Sequence, residues 1–549
     1  MKVSELIVRS LEEYGVQRVY GLIGTSILDL VDAVGMSSLR YISTRHEQVA
    51  VSMADAEGRV TGRPGVAFVH GGPGFLNSLV SLSNAYKDSS PLLLVAGAVK
   101  RRMVGLDSWL EVPQSEMAKS VVKAALRIEL GSDAPGKMAA AYSMAASDPK
   151  GPVLVEIPED VMAHDAGHLV SPARPTDAPK PAPGDAGRIW AALAAAKKPL
   201  LVTGGGMNNP RGAAALKGLL SKAPVPVATT GNGRGTLHET DRLSLGRIGF
   251  GGGNTVADAA LREADFVLCL GGGLSDVSTY GFNMKPRGDV YVVDLDPLWD
   301  KKPIAYAAHF GADAPSLTQE IAETANAYRA NPDWLNEIQK KRDGWNVLLR
   351  EQLSRRKKGF VNAAFFLDAL STALPADTIV AAGQGLHILY AYAFMKVRSP
   401  ASFLAATNMG SMGFVFPATL GAKAAFPERE VIGVMGDGEF MMTVQDMETA
   451  VREKIGAKVV VVNDGSYRVL LMRQKLQKMG RVFGTLHGNP DMVELADSFG
   501  AAAFSIDSED KVPMAVKFLT AKSEVPRVVE LKVDPEDLPP LNLEGSLMF

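Results

Sequence analysis

The chain reads as an α/β protein made of three doubly wound domains with mainly parallel sheets. Three observations predict this. Short, β-branched apolar runs alternate with helical periodicity along the chain. Glycine-rich turns close many of those runs, in a chain holding 54 glycines. The length of 549 residues suits roughly three to four domains with sizeable cores.

The first domain is read at residues 1–165. It opens on MKVSELIVRSLEEYG, an amphipathic helix pattern and not a signal peptide. Strands follow at 18–21, 65–69, 92–96 and 153–157, with helical patterns between them. The segment RHEQVA opens one helix and puts Glu47 near its start, where an acid is a favourable partner for the helix dipole. His70 ends an apolar run just before Gly71-Gly72-Pro73-Gly74. A histidine there either faces a pocket at the strand end or is a hydrogen-bonded structural residue.

Residues 166–187, including PARPTDAPKPAPGDAG, form a linker by composition. A second domain at 188–325 has strands at 200–203, 225–229, 266–270 and 290–295. Two end in the triple glycines 204–206 and 271–273, which lack the GxGxxG spacing and following acid of a dinucleotide site. A polar helical connector with Trp334 and Trp345 occupies 326–358. The third domain is read at 359–535, and its strand at 379–382 leads into Gly383-Gln384-Gly385-Leu386-His387. The tail 536–549, with LPPLNLEGSLMF, is either disordered or a lid.

Within the third domain, the 431–435 run stops at Gly436-Asp437-Gly438. Thr443 is placed to cap a helix reaching about 454, with Val444, Met447, Ala450 and Val451 on one face. A second run at 459–462 stops at Asn463-Asp464-Gly465. A right-handed crossover brings Asp437 and Asp464 to one sheet edge, where open α/β folds bind ligands. Paired carboxylates suit a hard cation, and magnesium completes its shell with phosphate oxygens and water. The alternative is a strand-end turn with two solvated acids.

Composition excludes other classes. A net charge of −2 gives no basic footprint for nucleic acid. The single Cys269 sits in ADFVLCLG as a core residue and cannot form an internal disulfide, which agrees with a reducing compartment. No apolar stretch reaches the roughly 18 residues of a membrane span. A cytoplasmic enzyme is expected.

Asp464 follows Asp437 by 27 positions (464 − 437 = 27), with a helix and a strand between them. This stretch resembles the magnesium and diphosphate motif of thiamine diphosphate enzymes, a GDG followed by a paired Asn. The second of that pair is here Asp464, which adds a negative charge beside a diphosphate and is expected to keep the metal with altered affinity. The resemblance covers essentially the whole chain, and makes the domains pyrimidine-binding, central and diphosphate-binding. It implies magnesium on Asp437, Asp464 and the Ser466 carbonyl. It implies thiamine diphosphate contacts at Gly385, Leu386, His387, Gly410, Met412, Gly436, Gly438, Glu439, Ser466 and Tyr467. Met412 would be the wedge between the cofactor's rings, and the Gly410 carbonyl would receive its 4′-amino group.

RHEQVA, AEGRVTGRPGVAFVHGGPGFLN and NAYKDSSPLLLVAG resemble the pyrimidine-binding domain of the same enzymes, with Glu47 on the aminopyrimidine ring. The resemblance gives His70 a substrate-facing catalytic role, and lines the pocket with Asn77, Trp109, Gln114 and Leu471. It implies that a C2 carbanion adds to a 2-oxo acid, carbon dioxide leaves, and the enamine is protonated or added to a second carbonyl. An acetolactate-synthase-like decarboxylase and carboligase is the first reading. Benzoylformate-decarboxylase-like, benzaldehyde-lyase-like and acyl-CoA-using enzymes such as oxalyl-CoA decarboxylase are the alternatives. A silent cofactor-binding subunit would have lost Glu47 or Asp437, and both are present. FAD or another nucleotide in the central domain is possible but not favoured. A homodimer or homotetramer with its active sites between subunits is expected.

Overall fold

The computed structural model describes residues 1–540 apart from 177, 251–255, 297, 298, 300 and 327. The first sheet holds β1 (Arg18–Gly21), β2 (Arg40–Ser43), β3 (Gly65–Val69), β4 (Leu92–Ala98), β5 (Ala124–Arg127) and β6 (Pro152–Pro158). The second holds β7 (Pro199–Thr203), β8 (Val227–Thr229), β9 (Ser244–Arg247), β10 (Phe266–Leu270), β11 (Asp289–Val293) and β12 (Ala308–Phe310). The third holds β13 (Ile379–Ala382), β14 (Phe403–Leu404), β15 (Val431–Gly436), β16 (Lys458–Asn463), β17 (Ala502–Ile506) and β18 (Arg527–Lys532). Every pairing between these strands is parallel. The α/β class read from the sequence is therefore the observed one.

The first and third sheets share one topology, β2-β1-β3-β4-β6-β5 and β14-β13-β15-β16-β18-β17. The central sheet runs β12-β11-β10-β7-β8-β9, which in its own strand numbers is 6-5-4-1-2-3. Each order has a reversal beside its first strand, between β1 and β3, β7 and β10, or β13 and β15. Crevices outside the carboxyl ends of the strands open at such points. Each of these three points falls on a glycine-rich turn of the sequence.

The sequence reading missed the strands at sheet edges. Residues of β2, β5 and β14 form runs of only two to four, too short to show a period. The strand expected at 225–229 starts at Val227, because Pro226 has no N–H for the ladder. The single helix expected from Thr443 is also corrected. The chain makes a helical turn at Asp437–Phe440, a 3₁₀ turn at Val444–Asp446 and a helix only at Met447–Arg452. Thr443 gives no cap, and its buried hydroxyl has no partner among the described residues. Asp446 is turned instead to the first domain, where its carboxylate accepts the Arg45 N–H at 2.7 Å and the Thr449 hydroxyl at 2.8 Å.

One hydrophobic core joins the first and third domains. It runs from Val69 and Leu94 through Val49 and Met53, across Val415 and Leu420, to Met435 and Val461. Polar ties reinforce it. Asp88 accepts from Arg59, from the Thr407 and Asn408 N–H groups and from the Asn408 side chain. The helix Pro332–Ser354 carries the connector, with Trp334 buried and donating its indole N–H to the Pro199 carbonyl at 3.0 Å. Of the tail, only 536–540 falls within the described residues, so the lid expectation for 541–549 lies outside them.

Candidate active site

Glu47 begins the helix Glu47–Thr61, which follows β2 at the carboxyl edge of the first sheet. His46 caps it, its ring nitrogen accepting the Gln48 N–H at 3.1 Å. The Glu47 carboxylate is buried and accepts from the Asn77 amide at 3.0 Å. Asn77, expected in the substrate pocket, is therefore the partner that orients this acid. Gly74 sits between Glu47 and His70: a Cβ there would lie 3.0 Å from Glu47 Oε1 and 3.2 Å from His70 Cβ. The acid and the histidine thus line one wall.

His70 follows β3 at the reversal point of the first sheet. Its Nδ1 lies 3.3 Å from the Ser26 backbone N–H and 2.7 Å from the Ser26 hydroxyl. A backbone N–H only donates, so Nδ1 accepts and the neutral ring carries its proton on Nε2. Burial lowers the pKa of His70, against the raising effect of Glu47 and Glu159. The imidazole is uncharged at neutral pH.

Two further residues expected in the pocket stand after His70. Gln114 is buried with both ends of its amide used by backbone, accepting the Gly72 N–H at 3.0 Å and donating to the Gly97 carbonyl at 2.9 Å. It fixes the turn after His70. Trp109 is 80% exposed, because its loop turns the indole outward while Leu110 and Glu111 line a cavity of about 460 Å³. Leu471 is buried on the helix Arg468–Gln477, while its neighbour Leu470 is half exposed.

The second cluster forms at the reversal point of the third sheet. Adjacent strands β15 and β16 end in Asp437 and Asp464, and the Gly465 N–H donates to Asp437 Oδ2 at 3.1 Å. His487 Nε2 at 3.0 Å and the Asn489 amide at 2.6 Å meet the same oxygen. All three hydrogen bonds fall on Oδ2, which leaves Oδ1 for a cation. His487 and Asn489 were not read from the sequence; the HGNP segment carries no motif, and a short bridge at Ser466 and Leu486 brings it over the metal loop. Tyr467 packs on His487 with ring centroids 4.8 Å apart. A Cβ at Gly438 would meet that tyrosine at 2.6 Å, so only glycine fits there.

Asp464 Oδ1 accepts the Ser466 N–H at 3.0 Å and hydroxyl at 2.6 Å, and Oδ2 lies 3.3 Å from Arg468 Nη1. Burial raises the pKa of Asp464, opposed by Ser466 and Arg468. The charge that sets this chain apart from an Asn-Asn pair therefore has a cation beside it.

Two of the expected cofactor contacts serve the framework through their side chains. Glu439 is buried; it accepts the Gln384 N–H at 3.1 Å and the Val415 N–H at 3.3 Å, and so joins the turn after β13 to the end of the 410–414 loop. A Cβ at Gly383 would lie 1.7 Å from this carboxylate, which is the close approach that turn requires. His387 lies beneath the Asp437 turn, accepting the Gly436 N–H at 3.2 Å. Gly385 and Leu386 stand in the same turn, where Leu386 is buried at the N-cap of the helix His387–Phe394. Gly410 and Gly413 have positive φ and bend the loop carrying Met412, and Ser411 anchors it to Asn84 of the first domain at 2.7 Å.

The residues fit a magnesium diphosphate. Two carboxylates and the Ser466 carbonyl offer hard oxygen donors, and magnesium characteristically takes few protein ligands and keeps phosphate and water. Among the described residues no group of three His, Cys, Asp or Glu side chains forms a denser metal site. His487 Nδ1 and Asn489 Oδ1 are buried beside Asp437 without hydrogen-bond partners among the described residues. The hydrated cation and the diphosphate would supply them.

The central reversal point is built differently. The Gly206 N–H donates to the Gly271 carbonyl at 2.6 Å, and a Cβ on Gly204 would lie 2.4 Å from Gly272 Cα. Both triple glycines are used in packing the two loops against each other.

The sequence matches three family descriptions: the thiamine pyrophosphate enzyme N-terminal TPP binding domain at residues 1–122, the central domain at 187–321, and the C-terminal TPP binding domain at 383–531. The chain belongs to the thiamine pyrophosphate enzyme family. Within it, the chain is similar to acetolactate synthases over nearly its whole length. It is 30% identical to the acetolactate synthase of Mycobacterium bovis, over 96% of this chain and 88% of that protein. It is 29% identical to the isozyme 3 large subunit of Escherichia coli and 28% identical to the large subunit of Haemophilus influenzae, each over 99% of this chain and 97% of the relative.

Proposed function

We propose that the protein is a magnesium- and thiamine diphosphate-dependent decarboxylase and carboligase of 2-oxo acids, of acetolactate synthase type. The supporting observation is similarity to acetolactate synthases across all three domains in a chain that keeps Glu47 and Asp437 at strand ends. Thiamine diphosphate, when bound, supplies a carbon nucleophile and an electron sink for loss of carbon dioxide. The chain's residues bind and orient. Asp437, Asp464 and the Ser466 carbonyl hold magnesium, and the turns at 383–387 and 436–438 take the diphosphate. The Gly410–Gly413 loop would offer the Met412 side chain and the Gly410 carbonyl to the cofactor. Glu47 holds and releases a proton at its carboxylate, which Asn77 keeps in place. In this reading the protein is a cytoplasmic homodimer or homotetramer with sites between subunits, and its central domain works without a nucleotide because its glycine loops are packed together. Among the described residues no helix is long and apolar enough to cross a membrane.

Product analysis tests the reading. Acetolactate formed from pyruvate with magnesium and thiamine diphosphate is the expected result. Benzaldehyde from benzoylformate, with pyruvate untouched, would replace it by a benzoylformate decarboxylase type of reaction. His70 is the observation that favours this second reading, since its neutral ring carries a proton on Nε2 beside Glu47. His70→Ala is expected to lower kcat by about tenfold to a hundredfold with cofactor affinity little changed. An unchanged kcat would remove His70 from the mechanism.

A further inference from the structure

An aspartate in place of the second asparagine puts an extra negative charge where a diphosphate must bind. The structure shows what stands against it. Arg468 lies four residues beyond Asp464 at the start of the helix Arg468–Gln477, its guanidinium is almost fully buried, and Asp464 is the acid it pairs with, at 3.3 Å. The other nitrogen of its fork, Nη2, donates to the backbone carbonyls of Asp534, at 3.0 Å, and Asp537. The Asp537 carboxylate is engaged elsewhere, by Tyr390 at 3.0 Å, Gln352 at 3.0 Å and Arg355 at 2.8 Å. A buried cation held by carbonyls keeps its full charge, and in a low-dielectric setting that charge acts strongly on the nearest anion.

We propose that Arg468 is a positioning residue for the cofactor site: it neutralises Asp464, so that a carboxylate can serve as a magnesium ligand beside a diphosphate. The inference rests on the metal reading of Asp464. It makes Asp464 and Arg468 one functional unit, equivalent in charge to the neutral asparagine of the usual motif. The sign of each substitution then follows. Arg468→Met leaves an uncompensated carboxylate beside the diphosphate and weakens its binding. Adding Asp464→Asn to that variant removes the carboxylate and restores the charge balance. A role confined to anchoring 534–537 predicts no such rescue, because the double variant lacks the same anchor.

The experiment is calorimetric titration of thiamine diphosphate into the apo protein at saturating magnesium, with melting temperatures of every variant as a folding control. Arg468→Met is expected to raise Kd about tenfold or more. Asp464→Asn/Arg468→Met is expected to return within about threefold of the parent, and Arg468→Lys to stay well below the loss seen with methionine. A double variant as weak as Arg468→Met, or an unaltered Kd in Arg468→Met, overturns the proposal. The parent titration separates this from the reading beneath it: magnesium-independent binding by the parent would remove Asp464 as a metal ligand, and the proposal with it.

Discussion

Glu47→Gln is expected to lower kcat by about a hundredfold or more while thiamine diphosphate binding at saturating magnesium stays within a few-fold of the parent. Glutamine keeps the length and planarity of the side chain, so the helix start at Glu47 and the buried wall beside Gly74 are preserved. What it loses is the carboxylate's ability to hold and release a proton. The Asn77 amide, 3.0 Å from Glu47 Oε2, can still donate to the glutamine carbonyl oxygen, so packing provides no alternative cause. Separate measurements of kcat and cofactor Kd decide it. A loss confined to Kd would make Glu47 a binding residue only. Full turnover in the glutamine variant would move the proton-handling role elsewhere, with His70 an ionisable side chain on the same wall.

What was legible in the sequence follows from what periodicity and spacing encode. Long buried strands such as β4 and β16 are continuous apolar runs, and their order fixes a parallel sheet once crossovers are right-handed. The positions of Asp437 and Asp464 at neighbouring strand ends follow from that alone. Short strands such as β14 do not repeat often enough to be seen. Side-chain partners were less legible still. Nothing in the chain near Asp437 announces that His487 and Asn489, 50 and 52 positions later, share its Oδ2, because a loop outside any regular element brings them there. Gln114 and Glu439 stand at positions the family resemblance marks as functional, yet backbone N–H groups occupy their side-chain oxygens. A motif fixes where the chain passes a site, while competition with unsatisfied backbone groups decides which side chains are free to face it.

That competition also sets what should happen when Asp437 is replaced. Asp437→Ala is expected to weaken thiamine diphosphate binding about a hundredfold at fixed magnesium, and to flatten the dependence of that binding on magnesium concentration. Two losses combine. The cation loses a carboxylate at Oδ1, and the Gly465 N–H, His487 Nε2 and Asn489 amide lose the oxygen on which they converge. The Gly465 N–H and the Asn489 amide keep Asn463 Oδ1 as a second acceptor, at 3.2 Å and 3.0 Å, so His487 Nε2 is the donor left without one, at about 1–3 kcal/mol, and the His487 loop over Ser466 should shift as well. Asp437→Asn separates the two effects. Its side-chain oxygen can still take the three donors while the amide faces the cation, so the apo melting temperature should stay near the parent's and magnesium dependence should still fall. If both variants bind thiamine diphosphate as the parent does, Asp437 is a framework acid, and the metal must be sought among the other oxygens at the end of β16. Loss in the alanine variant alone would assign Asp437 to holding the His487 loop in place, with the cation carried chiefly by Asp464 and the Ser466 carbonyl.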